Sequence, residues 1–74
     1  MDDKQISARI GTLINEEHQL ERAGEPDHSR LKAIDVELDL CWDLLRQRRA
    51  RRAAGENPDD AQARSEGVVE GYLQ

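Results

Sequence analysis

Two stretches of apolar residues at helical spacing, parted by Gly24-Glu25-Pro26-Asp27, constrain this chain more than any other feature. Ile6, Ile10, Leu13, Ile14 and Leu20 fall on one stripe at about 100° per residue. Asp2 or Asp3 can cap them, and Asp2 with Gln5 three residues on has the form of a capping box. The spacing predicts a first helix over about residues 3–22. Leu31, Ile34, Leu38, Cys41 and Leu45 alternate steps of three and four, Asp27 or Ser29 stands ready as a cap, and nothing breaks the pattern before Gly55. That predicts a second, longer helix over about 28–54. Gly24 serves as a stop for the first helix, and Pro26 cannot continue one. So short a connection makes the two helices run antiparallel.

Register follows from the two stripes. Setting Leu20 opposite Leu31 brings Leu13 opposite Leu38, Ile10 opposite Cys41 with Trp42 beside it, and Ile6 opposite Leu45. The same alignment places Asp3 near Arg48 and Asp2 near Arg49, so charge agrees with the apolar match. Phe is absent and the aromatic residues are Trp42 and Tyr72 alone. The core must therefore be aliphatic, which suits packed helices better than a sheet. Cys41, the single cysteine, takes a seam position and is expected to be buried.

After Gly55 the pattern changes. Asn57-Pro58-Asp59-Asp60 is a local helix start, with Asn as cap, Pro at the first position and acids at the positive end of the dipole. Its helix is short and nearly without apolar residues, ending by Gly67. Val68, Val69, Tyr72 and Leu73 then form an apolar end that can dock onto the hairpin or be held by a partner. The expected architecture is all-α: an antiparallel two-helix hairpin over residues 1–55, then a mostly irregular tail over 56–74 containing a short helical turn.

The second helix has more apolar surface than the first can cover. Its seam occupies one side, whereas Val36, Leu40 and Leu44 fall roughly 140° to 220° around from Leu31. Between them runs a charged strip of Lys32, Asp35, Asp39, Asp43 and Arg46, which reads as solvated. Val36, Leu40 and Leu44 are the candidate self-association face, because a bare apolar patch usually marks an interface. A second copy packed there gives a dimeric four-helix bundle; the tail folded back there closes a monomer.

Charge is unevenly spread. The net charge is −5, which argues against nonspecific attraction to nucleic acid or anionic lipid. Residues 1–45 carry eleven acids and five bases, residues 46–52 carry five arginines, and residues 53–74 carry five acids and one base. Arg46, Arg48, Arg49, Arg51 and Arg52 are candidate contacts to an anionic partner, either phosphates or an acidic protein. The competing reading is structural: cations belong in the last turns of a helix, and acids on both sides can neutralise them.

Chemistry has little foothold. Glu16-Glu17-His18 and His28 are the only hints of a metal site; His18 has Asn15 three residues before it, and Glu25, three before His28, falls in the connection ahead of the second helix and not on a helix face, where bundle carboxylate centres place such a pair. Glu17 lies inside the first apolar stripe opposite Ile34, where a carboxylate needs a wet edge or an arginine, including one from another copy. Ser7, Ser29, Ser65 and Thr12 have no paired histidine, and no glycine-rich phosphate loop exists. No enzyme activity, metal or cofactor is expected. No basic and apolar leader or membrane-length apolar run is present, and the lone cysteine suits a reducing compartment, so a cytoplasmic, non-membrane protein is expected.

The run Leu40-Cys41-Trp42-Asp43-Leu44-Leu45-Arg46-Gln47-Arg48-Arg49-Ala50-Arg51-Arg52, then Ala54-Gly55-Glu56-Asn57-Pro58-Asp59 and Val69-Glu70-Gly71-Tyr72-Leu73-Gln74, resembles a family of short actinobacterial proteins known only as a domain of unknown function. Met1-Asp2-Asp3-Lys4 and Glu16-Glu17-His18 extend the resemblance over nearly the whole chain. The loop Gly24-Glu25-Pro26-Asp27 is shorter than in many members. The resemblance implies a cytoplasmic bacterial protein with no assigned activity, cofactor or catalytic residue. The expected function is a homodimeric structural or adaptor module that engages another protein; the alternative is a nucleic-acid accessory protein acting through the arginines.

Overall fold

A computed structural model describes residues 1–24 and 27–63. Helix α1 spans Asp3–Arg22, helix α2 spans His28–Ala53, and a single 3-10 turn follows at Pro58–Asp60. Each start is fixed by a local side chain. The Asp2 carboxylate accepts from the Gln5 backbone N–H at 2.8 Å while Gln5 Oε1 accepts from the Asp2 N–H at 2.9 Å, a reciprocal pair that satisfies two orphan donors. Asp27 caps α2 by accepting from the Arg30 N–H at 3.0 Å. Asn57 does the same for the 3-10 turn, accepting from the Asp59 N–H at 3.0 Å.

The two ends of the helices differ in mechanism. α1 stops because Ala23 is already extended, at φ −65° and ψ 145°. Gly24 does not take the left-handed conformation expected of a stop signal; Gly55, at φ 75°, is the positive-φ residue among those described. There the Glu56 N–H donates to the Arg51 carbonyl at 2.7 Å and the Gly55 N–H to the Arg52 carbonyl at 3.2 Å. These are the two bonds of a Schellman motif. They turn the chain back, so that the 3-10 turn packs against α2.

The core is small and aliphatic. Ile6, Ile10 and Leu13 of α1 are buried with Ile34 of α2, and the remaining seam residues Leu20, Leu31, Leu38 and Leu45 are half-buried. The helices run antiparallel, as Arg9 with Glu37 and Glu16 with Arg30 show by pairing early α1 with mid α2 and late α1 with early α2. Asp3 meets Arg48, as the register requires.

Two further expectations change. Cys41 is half-buried rather than buried; it lies at the edge of the seam beside the Arg9 and Glu37 pair, and burial pushes its thiol pKa up, with the Glu37 charge adding to the effect. Asp43 belongs to no solvated strip: it is only 4% exposed. The chain turns back toward α2 after Gly55 and is held against it as far as Gln62. Gln47 Nε2 donates to Asp43 Oδ2 at 3.0 Å and to the Gln62 carbonyl at 2.7 Å, stitching that segment down. Val68, Val69, Tyr72 and Leu73 lie outside the described residues.

Candidate interaction surface

The arginine run at the end of α2 does not form one continuous cationic face. Arg48 is 6% exposed. Its Nε donates to Asp3 Oδ1 at 2.5 Å, and its Nη1 donates to Asp59 Oδ1 at 3.0 Å and to the Pro58 carbonyl at 3.1 Å. One guanidinium therefore joins the start of α1, the end of α2 and the 3-10 turn. Its fork of donors suits this task where a lysine would not. Arg52 Nη2 pairs with Asp3 Oδ2 at 2.7 Å, and Arg51 Nη1 with Glu56 Oε2 at 3.1 Å. The Arg52 and Arg48 guanidiniums hold the Asp3 carboxyl down to about 2. Asp2, placed near Arg49 by the register, is occupied as the α1 cap instead.

Two arginines of the run differ. Arg46 reaches Asp43 only at 4.0 Å. Arg49 is exposed and has no ion-pair partner among the described residues.

The two flanks of the hairpin are chemically unlike. On one, Arg9 Nη2 pairs with Glu37 Oε1 at 2.6 Å, and Arg30 Nη2 lies 2.8 Å from Glu16 Oε1, so opposite charges meet across the helix pair. Glu16 pushes the Arg30 pKa up further. On the other, carboxyl meets carboxyl. The Glu17 pKa is pushed up by its hydrogen bond with Asp35, then by burial, and then by the charges of Asp35 and Glu21. Neither acid has an arginine partner among the described residues.

The same flank carries exposed apolar bulk. Trp42 is 47% exposed and Ile14 37%. Asp35, Trp42 and Arg49 stand at successive seven-residue intervals of α2, so they share a stripe that drifts by only ~20° per step. That spacing is visible in the sequence. Its meaning is not, because it depends on which charges are already neutralised within the fold.

The expected self-association face is less bare than its composition suggests. Val36, Leu40 and Leu44 are all half-buried, and the segment through Gln62 lies near the C-terminal end of that face. Shallow depressions along α2 are lined by Ser29, Lys32, Ala33 and Val36, and by Gln47, Ala50, Arg51, Ala54 and Glu56. Among the described residues no His, Cys, Asp or Glu group of three or more is placed to hold a metal ion. Glu16 is engaged by Arg30, while His28 opens α2. None of the described helices is long and apolar enough to cross a membrane.

Comparison with known proteins gives relatives without assigned activities. The chain is 43% identical over 77 residues to the uncharacterized protein Rv0898c of Mycobacterium tuberculosis, a match covering 95% of this chain and 88% of the relative. The uncharacterized protein Mb0922c of Mycobacterium bovis matches with the same identity and coverage. No solved structure matches the chain. A family model described as "Protein of unknown function (DUF2630)" matches residues 2–74, and with nearly the whole chain spanned, this helical hairpin belongs to that family.

Proposed function

We propose that the protein is a non-enzymatic helical interaction module that works as a cytoplasmic homodimer and engages another protein in that form. The observation that carries this reading is the disproportion between core and surface. Among the described residues the buried apolar core is Ile6, Ile10, Leu13 and Ile34, while Trp42 and Ile14 are exposed. A chain of this size is marginal alone and gains most from covering such side chains with a partner. Val36, Leu40 and Leu44 offer a further half-exposed apolar face on α2 for a second copy or for the partner protein.

The absence of catalytic function is inferred from chemistry of the surface. The two depressions along α2 are shallow, one bringing Lys32 and the other Arg51 and Glu56 together with small, aliphatic or amide side chains, which is not the convergence of polar groups in an enclosed pocket that an active site needs. The nucleic-acid alternative loses support from the internal pairing of Arg48, Arg51 and Arg52. Within the run this leaves Arg46 and Arg49 to meet phosphates.

Sedimentation equilibrium over a range of concentrations tests the reading. Twice the chain mass, with a midpoint that moves little in the presence of a short DNA or RNA duplex, is the expected result. A monomer up to high micromolar concentration overturns the dimer, and tight, salt-sensitive duplex binding overturns the preference for a protein partner.

A further inference from the structure

We propose that the dimer forms through the flank of α2 bearing Asp35, Trp42 and Arg49, packed antiparallel against the same flank of a second copy. This rests on the homodimer reading above and assigns it a surface.

The flank is self-complementary. A two-fold interface sets each residue against its mirror position on the partner, so that if i meets j, then j meets i. With the axis passing beside Trp42, the two tryptophans face each other. Asp35 then stands opposite the other copy's Arg49, and Arg49 opposite its Asp35, because each lies seven residues from Trp42 in opposite directions. Seven residues of helix span ~10 Å, enough to keep each ion pair clear of the aromatic contact. Asp39 and Arg46 repeat the arrangement within one residue of the same register.

The hairpin's unmatched groups are those this packing satisfies. Among the described residues Glu17 and Asp35 form a like-charge pair that no arginine or lysine bridges, while Arg49 is a cation with no ion-pair partner. The opposite flank, with Arg9 to Glu37 and Arg30 to Glu16, is already neutralised within the monomer and has nothing to offer a copy of itself. Apolar surface follows the same division: Trp42 and Ile14, the two exposed large apolar residues within the helices, lie on the unmatched side, Ile14 one turn before Glu17 on α1. An exposed aromatic ringed by charges of both signs has the composition of an interface centre and rim.

Charge reversal tests the pairing. Asp35→Arg and Arg49→Asp each set like charges against each other twice per dimer, and each is expected to weaken self-association by on the order of tenfold or more. Mixed together, the two variants regain opposite charges at both sites and are expected to form a heterodimer near wild-type affinity. A misfolded variant could not be rescued in this way. Trp42 is the chain's only tryptophan, so its emission is expected to shift to the blue over the concentration range in which mass doubles.

Leu40→Glu is the control for the other face and is expected to leave the dimer intact. A dimer that survives both reversals, a mixture that does not recover, or dissociation by Leu40→Glu alone overturns the assigned flank and leaves the dimer reading standing. A wild-type monomer at every concentration removes that reading itself.

Discussion

Arg48 Nε stands 2.5 Å from Asp3 Oδ1, so the third residue of the chain is bonded to a buried side chain near the far end of α2. The same guanidinium also holds Asp59 and the Pro58 carbonyl. Removing it leaves three acceptors short of a donor, one on α1 and two in the 3-10 turn, and groups left unpaired in this way cost more than the bonds themselves contribute. Arg48→Met is expected to lower the melting temperature by about 5 °C or more and to expose the segment after Gly55 to proteolysis. Arg48→Lys keeps the charge but cannot reach all three acceptors, so it should fall between. Circular dichroism melts and limited proteolysis give both readings.

Asp3 makes acid stability a readout of the same clasp. Hydrogen bonds from Arg52 and then Arg48 lower its pKa from an ordinary 3.8 to about 2. A carboxylate with a depressed folded-state pKa contributes stability that is complete above its unfolded value and is lost as pH falls through the folded one. Wild type is therefore expected to lose this contribution between about pH 4 and pH 2. Asp3→Asn should melt lower at neutral pH and decline less steeply through that window. Parallel curves for the two proteins below pH 4 would show that the clasp does not act through this carboxylate.

Ile34 is fully buried, and it is the only α2 residue in a core otherwise drawn from α1 among the described residues. Ile→Ala in such a site costs about 2–5 kcal/mol, comparable to the whole stability that a core of this size supplies. Ile34→Ala is expected to be largely unfolded at 25 °C in dilute solution. Ile14→Ala, on the exposed side of α1, should change stability by less than about 1 kcal/mol under the same conditions. Urea titration followed by circular dichroism separates the two.

The features that local rules govern were legible in the sequence. Ile6, Ile10 and Leu13 form the apolar stripe of α1, and the Asp2 and Gln5 box is a matter of three-residue spacing. The meeting of Asp3 with Arg48 follows from aligning two stripes across a short connection. Asp43 was not legible, because burial to this depth is a tertiary event: α2 alone puts it among charged neighbours, and the spacing does not show that Gln47, its hydrogen-bond donor, also holds the chain returning after Gly55 through the Gln62 carbonyl. Trp42 was readable as lying beside the seam but not as exposed. Its place at the edge of the helix pair decides that.

Glu17 runs counter to Asp3 in its pH dependence. Its pKa is raised from 4.5 by the hydrogen bond with Asp35, then by burial and by the Asp35 charge. A carboxyl with a raised folded-state pKa contributes stability that is fully present below its unfolded value and is lost as pH rises through the folded one. At neutral pH the pair is therefore a liability in the monomer. Glu17→Gln is expected to raise the melting temperature of dilute protein at pH 7 and to lose that advantage near pH 4. A variant that melts below wild type at pH 7 would show that the carboxylate is stabilised by its surroundings.

Gly55 controls where the chain goes after α2. Its φ of 75° lies in the left-handed region, where a residue with a Cβ is strained by roughly 1–2 kcal/mol. A Cβ built there meets nothing within 4 Å, so the cost of Gly55→Ala is conformational alone. That isolates the Schellman turn from packing. The expected loss is about 1 kcal/mol, or a fall of about 4–8 °C in melting temperature. Gly55→Asn should lose less, because asparagine tolerates this conformation better than alanine does. If the turn also directs the segment that Gln47 holds through the Gln62 carbonyl, Gly55→Ala should speed amide exchange at the Gln62 and Ala61 backbone more than at Ile34. Uniform acceleration across all three positions would assign the whole effect to global stability.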